Sequence, residues 1–127
     1  MRQYVKAEYP LSEVTRKIIA AAMEVHQTLG LGFREFVYQR ALALELPEQK
    51  LPFEREVWID VYYKGQQIGR QRVDFVVDEV MVEIKAKAAL EPPDFVQTLT
   101  YLKASVYKVG LLLNFGARKL QIKRLAN

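Results

Sequence analysis

Three residues in the stretch "RVDFVVDEVMVEIKAK" have the types and spacing to do chemistry: Asp74, Glu83 and Lys85. The residues around them are strand formers. If Asp78-Glu79 is a hairpin tip, Val77 pairs with Val80, Val76 with Met81, Phe75 with Val82, and Asp74 then faces Glu83. Directly opposed residues on adjacent strands hold their Cβ atoms about 4.5–5.5 Å apart. Lys85, two residues beyond Glu83, projects from the same face, and the other face collects Val73, Phe75, Val77, Val80, Val82 and Ile84. Facing like charges destabilise a sheet unless something offsets them. Lys85 would do so in part. A divalent cation would do it better, because hard carboxylate oxygens on neighbouring strands suit Mg²⁺ or Mn²⁺. From spacing alone two readings stand: a metal site, or an exposed sheet face on which two acids pair with a lysine.

The elements that must position this group follow from periodicity. "LSEVTRKIIAAAMEVHQTLG" reads as a helix, with Ser12 as N-cap, an apolar stripe of Val14, Ile18, Ala21, Val25 and Leu29, and Gly30 and Gly32 as stops. A second helix is expected from about Glu35 to Leu46, closed by Pro47. "VWIDVYYK" alternates, placing Val57, Ile59, Val61 and Tyr63 on one face. Gly65 marks a turn into "QIGRQRVDFVV", and "VMVEIKA" is a third strand. "PPDFVQTLTYLKASVY" opens with helix-starting prolines and carries Phe95, Leu99, Leu102 and Val106 at helical spacing. "VGLLLNF" is a continuous apolar run, expected of a strand buried on both faces, and "KLQIKRL" alternates as an outer strand. The order is helix, helix, three strands, helix, two strands: an α/β fold with helices packed on a mixed β-sheet of about five strands. No repeat or linker divides the chain, so residues 1–127 read as one domain.

Composition narrows the function classes. The chain has 127 residues, 50% apolar and 27% charged, an ordinary soluble profile. It has no cysteine, which excludes disulfides and thiolate metal sites. The N-terminal "MRQYVKAEYPLSEV" lacks an apolar segment and no apolar run approaches spanning length, so a cytoplasmic protein without membrane contact is expected. The net charge of +4 is unevenly spread. Residues 1–102 hold 13 Lys/Arg against 15 Asp/Glu, while residues 103–127 hold six cations and no acid. That asymmetry fits an anionic partner such as nucleic acid, or a solvated rim around a final strand.

Asp74 followed by "EIK" at Glu83–Lys85 resembles the D…(D/E)xK signature of the PD-(D/E)XK nuclease superfamily. In "GFREFVY", Gly32, Glu35 and Tyr38 match the motif that names the GxxExxY protein family, a small branch of it. "VHQTLGLG", "YQRALALEL" and "QTLTYLKAS" are also similar, so the likeness runs from about Leu11 to the last strand. The resemblance implies a restriction-endonuclease-like core of helix, three antiparallel strands, helix and a further strand, with the site where the central strands splay. It implies Mg²⁺- or Mn²⁺-dependent cleavage of phosphodiesters, with Asp74 and Glu83 as metal-binding carboxylates, the Ile84 carbonyl as a further ligand, and Glu35 as the helix acid that completes the site. Lys85 would sit by the attacking water, as a point charge or a base. One departure is plain: Val73 stands where the superfamily's name has proline, a position that does no chemistry.

Several other residues have two readings. Glu35 also suits the positive end of its helix. Tyr38 would more often pack than react. Gln97 and Tyr101 share a helix face and would contact phosphate or orient Lys85, or form a solvated stripe. Lys87 repeats the alternation of Lys85 and would reach phosphate or solvent. His26, the only histidine, reads best as a hydrogen-bonded helix-terminus residue. Trp58 would be a stacking platform or an ordinary strand residue. The rival to an enzyme is a non-catalytic module of the same fold, binding nucleic acid or a protein partner. So small a nuclease would need a homodimer or a protein partner for specificity.

Overall fold

The computed structural model describes residues 11–127, so the parts of the N-terminal and one-domain readings that fall on residues 1–10 lie outside the described residues. One five-stranded sheet runs in the order β1 (Phe53–Tyr63), β2 (Gln66–Val77), β3 (Val80–Lys85), β4 (Val109–Asn114), β5 (Gln121–Ala126). All neighbours are antiparallel except β3 and β4, which are parallel and joined by α3 (Pro92–Ala104). A parallel pair needs such a crossover, because a tight turn cannot return the chain to the same end of the sheet. Two further helices, α1 (Ser12–Leu29) and α2 (Glu35–Glu45), precede the sheet.

The apolar periodicities decide where these elements pack. Ile18, Ala21 and Val25 of α1 and Tyr38 and Leu42 of α2 bury against Phe75, Val77, Val82, Ile84 and the odd-numbered residues of β4. A second, smaller cluster joins Ile59, Val73, Met81, Leu102 and Leu125 beneath α3. Every residue of β4 is buried, as its unbroken apolar run requires. Each of its three leucines contributes about 1.5–3 kcal/mol by leaving water.

Local expectations fail where caps and pleats are at issue. Ser12 is the first helical residue rather than the cap; Leu11 precedes it at φ 58°, and the Ser12 carbonyl accepts the Thr15 hydroxyl at 3.0 Å. After Glu45 the chain tightens into a 3-10 turn, Leu46–Gln49, that contains Pro47 instead of stopping before it. Helix α3 ends at Ala104, which leaves Val106 outside it and 89% exposed.

The hairpin register is the one counted from the sequence: Val77 opposite Val80, Val76 opposite Met81 and Phe75 opposite Val82. Asp78 and Glu79 both have positive φ, 41° and 71°, as a two-residue type I′ turn demands. Two features of its faces differ. Val73 packs beneath α3 and not with Phe75; between them the β1–β2 ladder is interrupted at Glu56 and Asp74, and Glu56 takes a left-handed φ of 54°. Strand β3 is buried on both faces from Val80 to Ile84, between α1 and α2 on one side and α3 on the other; Glu83 is only 7% exposed and Lys85 alone is half-buried.

Candidate active site

The β2–β3 ladder stops at Phe75–Val82, and side chains take over the next rungs. The Asp74 amide donates to Glu83 Oε1 at 2.9 Å, and the Ile84 amide donates to Asp74 Oδ2 at 2.7 Å. Each carboxylate thus inserts between the splaying strands and satisfies an amide of the opposite strand. Gln39 of α2 donates its side-chain amide to Asp74 Oδ1. Strand β3 stays fixed while β2 departs, because Glu83, Ile84 and Lys85 remain paired with Leu112, Leu113 and Asn114 of β4.

The chain after Lys85 is held just as firmly. Buried Asn114 accepts the Lys87 and Gly116 amides through Oδ1 at 3.0 and 3.1 Å, and donates through Nδ2 to the Lys87 carbonyl at 2.9 Å and Gln121 Oε1 at 2.8 Å. Gly116 lies so close to this segment that a Cβ there would fall 2.4 Å from the Lys87 nitrogen.

An open cleft of about 490 Å³ lies over the splay, and Glu35, Asp74, Glu83, Lys85, Gln97 and Tyr101 all line it. Lys85 Nζ donates to Gln97 Oε1 at 3.0 Å, so α3 steers the ammonium. Burial, then the charge of Asp74, pushes the Glu83 carboxyl up to about 8. Burial also raises Asp74, against the pull of the Ile84 amide, Gln39 and Lys85. Loss of water and then the charge of Asp74 raise Glu35, while Lys85 draws it back. Tyr101 is raised by burial first and Glu83 second, which keeps its hydroxyl a donor.

Among the described residues no three His, Cys, Asp or Glu side chains form a ready-made metal-holding group. Glu35 lines the same cleft but does not complete a trio with Asp74 and Glu83. The close pair nevertheless suits a hard divalent cation. Two carboxylates are held where both cannot readily ionise without added positive charge, and Glu83 keeps a second oxygen for a further ligand.

Other expected residues sit elsewhere. Lys87 does not line the cleft: its ammonium bridges Glu91 at 2.8 Å and Asp94 at 2.9 Å, within the capping box that starts α3. The Ile84 side chain is core. Tyr38 is buried and stacked on Phe115 at 5.0 Å between centroids, and its hydroxyl donates to the Gly30 carbonyl at 2.6 Å. The tyrosine thereby pins the loop in which Gly32 has φ 103°, so two of the three residues of the GxxExxY match are structural here. His26 Nε2 lies 2.9 Å from the Ala117 carbonyl, the helix-terminus role its position suggests.

Sequence reasoning missed Arg70 and Arg72, which line the cleft, and Gln39, which holds Asp74 from α2. Gln39 follows Glu35 by four on one helix, and Arg70 and Arg72 precede Asp74 by even steps on one strand, so face arithmetic alone could have found all three.

A family model described as the PD-(D/E)XK nuclease superfamily matches residues 12–125. The chain belongs to that superfamily. Among solved structures, this PD-(D/E)XK chain is similar to SSO0001, with a TM-score of 0.56 and 17% identity over 92% of its own residues. That likeness supports the restriction-endonuclease-like fold. It spans 59% of the length of SSO0001. No curated protein matches the sequence significantly. Among the described residues no helix is long and apolar enough to cross a membrane.

Proposed function

We propose that the chain is a divalent-metal-dependent nuclease that hydrolyses phosphodiester bonds of nucleic acid, of the GxxExxY branch, working in the cytoplasm. The observation that carries this reading is the exchange of backbone amides between the Asp74 and Glu83 carboxylates, which holds two acids together at a strand splay beside Lys85. Asp74 and Glu83 would hold Mg²⁺ or Mn²⁺, with the Ile84 carbonyl and Glu35 as further ligands, directly or through water. Bound there, the cation would lower the pKa of a coordinated water and offset charge on the phosphoryl oxygens.

The chain's own residues supply the rest. Hydrolysis forms a bond from water oxygen to phosphorus and breaks the bond to one ester oxygen, and negative charge grows on the non-bridging oxygens between the two events. The Lys85 ammonium, steered by Gln97, adds a fixed positive charge where that growth occurs. Tyr101, kept protonated, offers a hydrogen bond to the same phosphate. The ordered Gln97 partner on the Lys85 ammonium reduces the reorganisation needed during reaction.

The test is cleavage of single- and double-stranded DNA and RNA with Mg²⁺ or Mn²⁺. Asp74→Ala is expected to abolish cleavage while circular dichroism stays that of the folded domain; cleavage surviving the substitution would overturn the site. A second reading, a non-catalytic module binding nucleic acid or a protein partner, is favoured by the lack of a three-acid group among the described residues. Mn²⁺ titration separates the two. A working site binds the ion and loses it in Glu83→Gln.

A further inference from the structure

The β1–β2 hairpin continues far beyond the carboxylates. Strand β3 accompanies β2 only over Phe75–Val77, so among the described residues Val57–Tyr63 and Gln66–Val73 form a two-stranded arm without a third strand. The arm exposes Trp58, Tyr62, Tyr63 and Ile68, a group of large apolar side chains that contributes little to the core.

Trp58 occupies a distinctive place on this arm. It lies directly opposite Arg72 in the strand register. The Arg70 guanidinium sits 4.2 Å from the ring centroid and that of Arg72 sits 5.6 Å away. The ring is therefore held by two cations and still 49% exposed. Trp58, Arg70 and Arg72 all line the carboxylate cleft. Trp58 also lines a second cavity of about 320 Å³, shared with Asp60, Tyr62, Ser105 and Tyr107 between the arm and the end of α3. That volume is in the range of small-ligand pockets, about 300–1,000 Å³. One aromatic ring, flanked by cations, thus joins the carboxylate cleft to a pocket with both aromatic and polar walls.

We propose that this arm is a stacking platform for single-stranded nucleic acid: an unpaired base lies on Trp58 or enters the adjoining pocket, while Arg70 and Arg72 hold the phosphates that lead to the carboxylate cleft. The proposal rests on the nuclease reading and adds the substrate class. Cations alone would serve a duplex as well as a single strand. An exposed aromatic ring does not, because base faces inside a duplex are covered by their stacking neighbours and only a base that has left the stack offers one. Charge complementarity selects the occupant over a protein partner: two guanidiniums converge on the one ring that both cavities share.

Trp58 is the only tryptophan, so its emission reports the platform directly. The probes are a short oligothymidylate and a duplex of equal length, titrated without metal into the full chain carrying Asp74→Asn, so that binding is read apart from cleavage. The expected result is saturable quenching by the single strand and at least about tenfold weaker binding of the duplex. By anisotropy of the labelled oligothymidylate, adding Trp58→Ala should weaken binding about tenfold, the loss of one stacked base, and Trp58→Phe should keep most of it. Equal binding of single strand and duplex, or undiminished binding with Trp58→Ala, overturns the platform. Failure to bind either nucleic acid also overturns it, and turns the arm toward a protein partner. If wild type cleaves nothing yet the quenching and its Trp58 dependence stand, the nuclease reading falls and the platform remains.

Discussion

The buried Glu83 carboxyl should make the metal-free protein lose stability as pH rises, and Glu83→Gln should remove the larger part of that loss. In the unfolded chain the carboxyl ionises near its ordinary 4.5, whereas in the folded chain burial and Asp74 hold its proton to about 8. Between those values the folded state binds more protons than the unfolded state, so folding weakens with every step upward in pH. At about 1.4 kcal/mol for each pH unit, the full interval gives a ceiling of about 5 kcal/mol, and sharing of the proton with Asp74, together with water entering the cleft, reduces it to about 2–4 kcal/mol. Asp74 and Glu35 are raised as well and act in the same direction. The Asp94 carboxyl, partly opposed by burial but pulled below its ordinary range by Lys87, acts at lower pH and leaves the window clear. The assay is urea unfolding in chelator from pH 5 to 9, for wild type and Glu83→Gln. Wild type should weaken progressively, the variant should weaken clearly less because only Asp74 and Glu35 still hold protons, and Mn²⁺ should restore wild type alone. Wild-type stability that is level or rising across this range refutes the argument that Glu83 is a carboxyl held without its counter-charge.

Gln39→Ala removes a hydrogen bond that favours ionised Asp74, so Mn²⁺ binding by calorimetry should weaken severalfold with the fold retained. Gly116→Ala drives a methyl group into the Lys87 backbone and should cost about 1–3 kcal/mol in urea unfolding, with cleavage falling as Lys85 is displaced. Lys87→Ala should lower the thermal midpoint slightly, by loosening the start of α3, and leave cleavage per folded molecule unchanged.

The order of elements along the chain, the hairpin register and the position of Asp74 against Glu83 were legible because a period of two and a two-residue turn leave few alternatives. Where the count would have paired Asp74 with Glu83 as an ordinary rung, the structure spends their side chains on backbone amides, a choice that no periodicity encodes. The burial of Glu83 was hidden for a related reason. An acid in a strand reads as a wet face, and only the return of α3 over that face shows otherwise. Lys87 was misplaced because alternation ends with β3 at Lys85: beyond it the Asn114 bonds set the path, and the ammonium turns to Glu91 and Asp94. The proposed platform role of Trp58 needed the sight of Arg70 and Arg72 over its ring.

Lys85 and Glu83 are riveted to the innermost strand of the sheet, while the aromatic arm leaves that sheet after a few shared rungs. Under the proposed reading, recognition and reaction would be housed in separate parts of the fold with one short joint between them. The tip of the arm can be exchanged for another hairpin of equal length without moving either acid, so this architecture lets a new target be acquired by grafting and leaves the scissile chemistry where it stands.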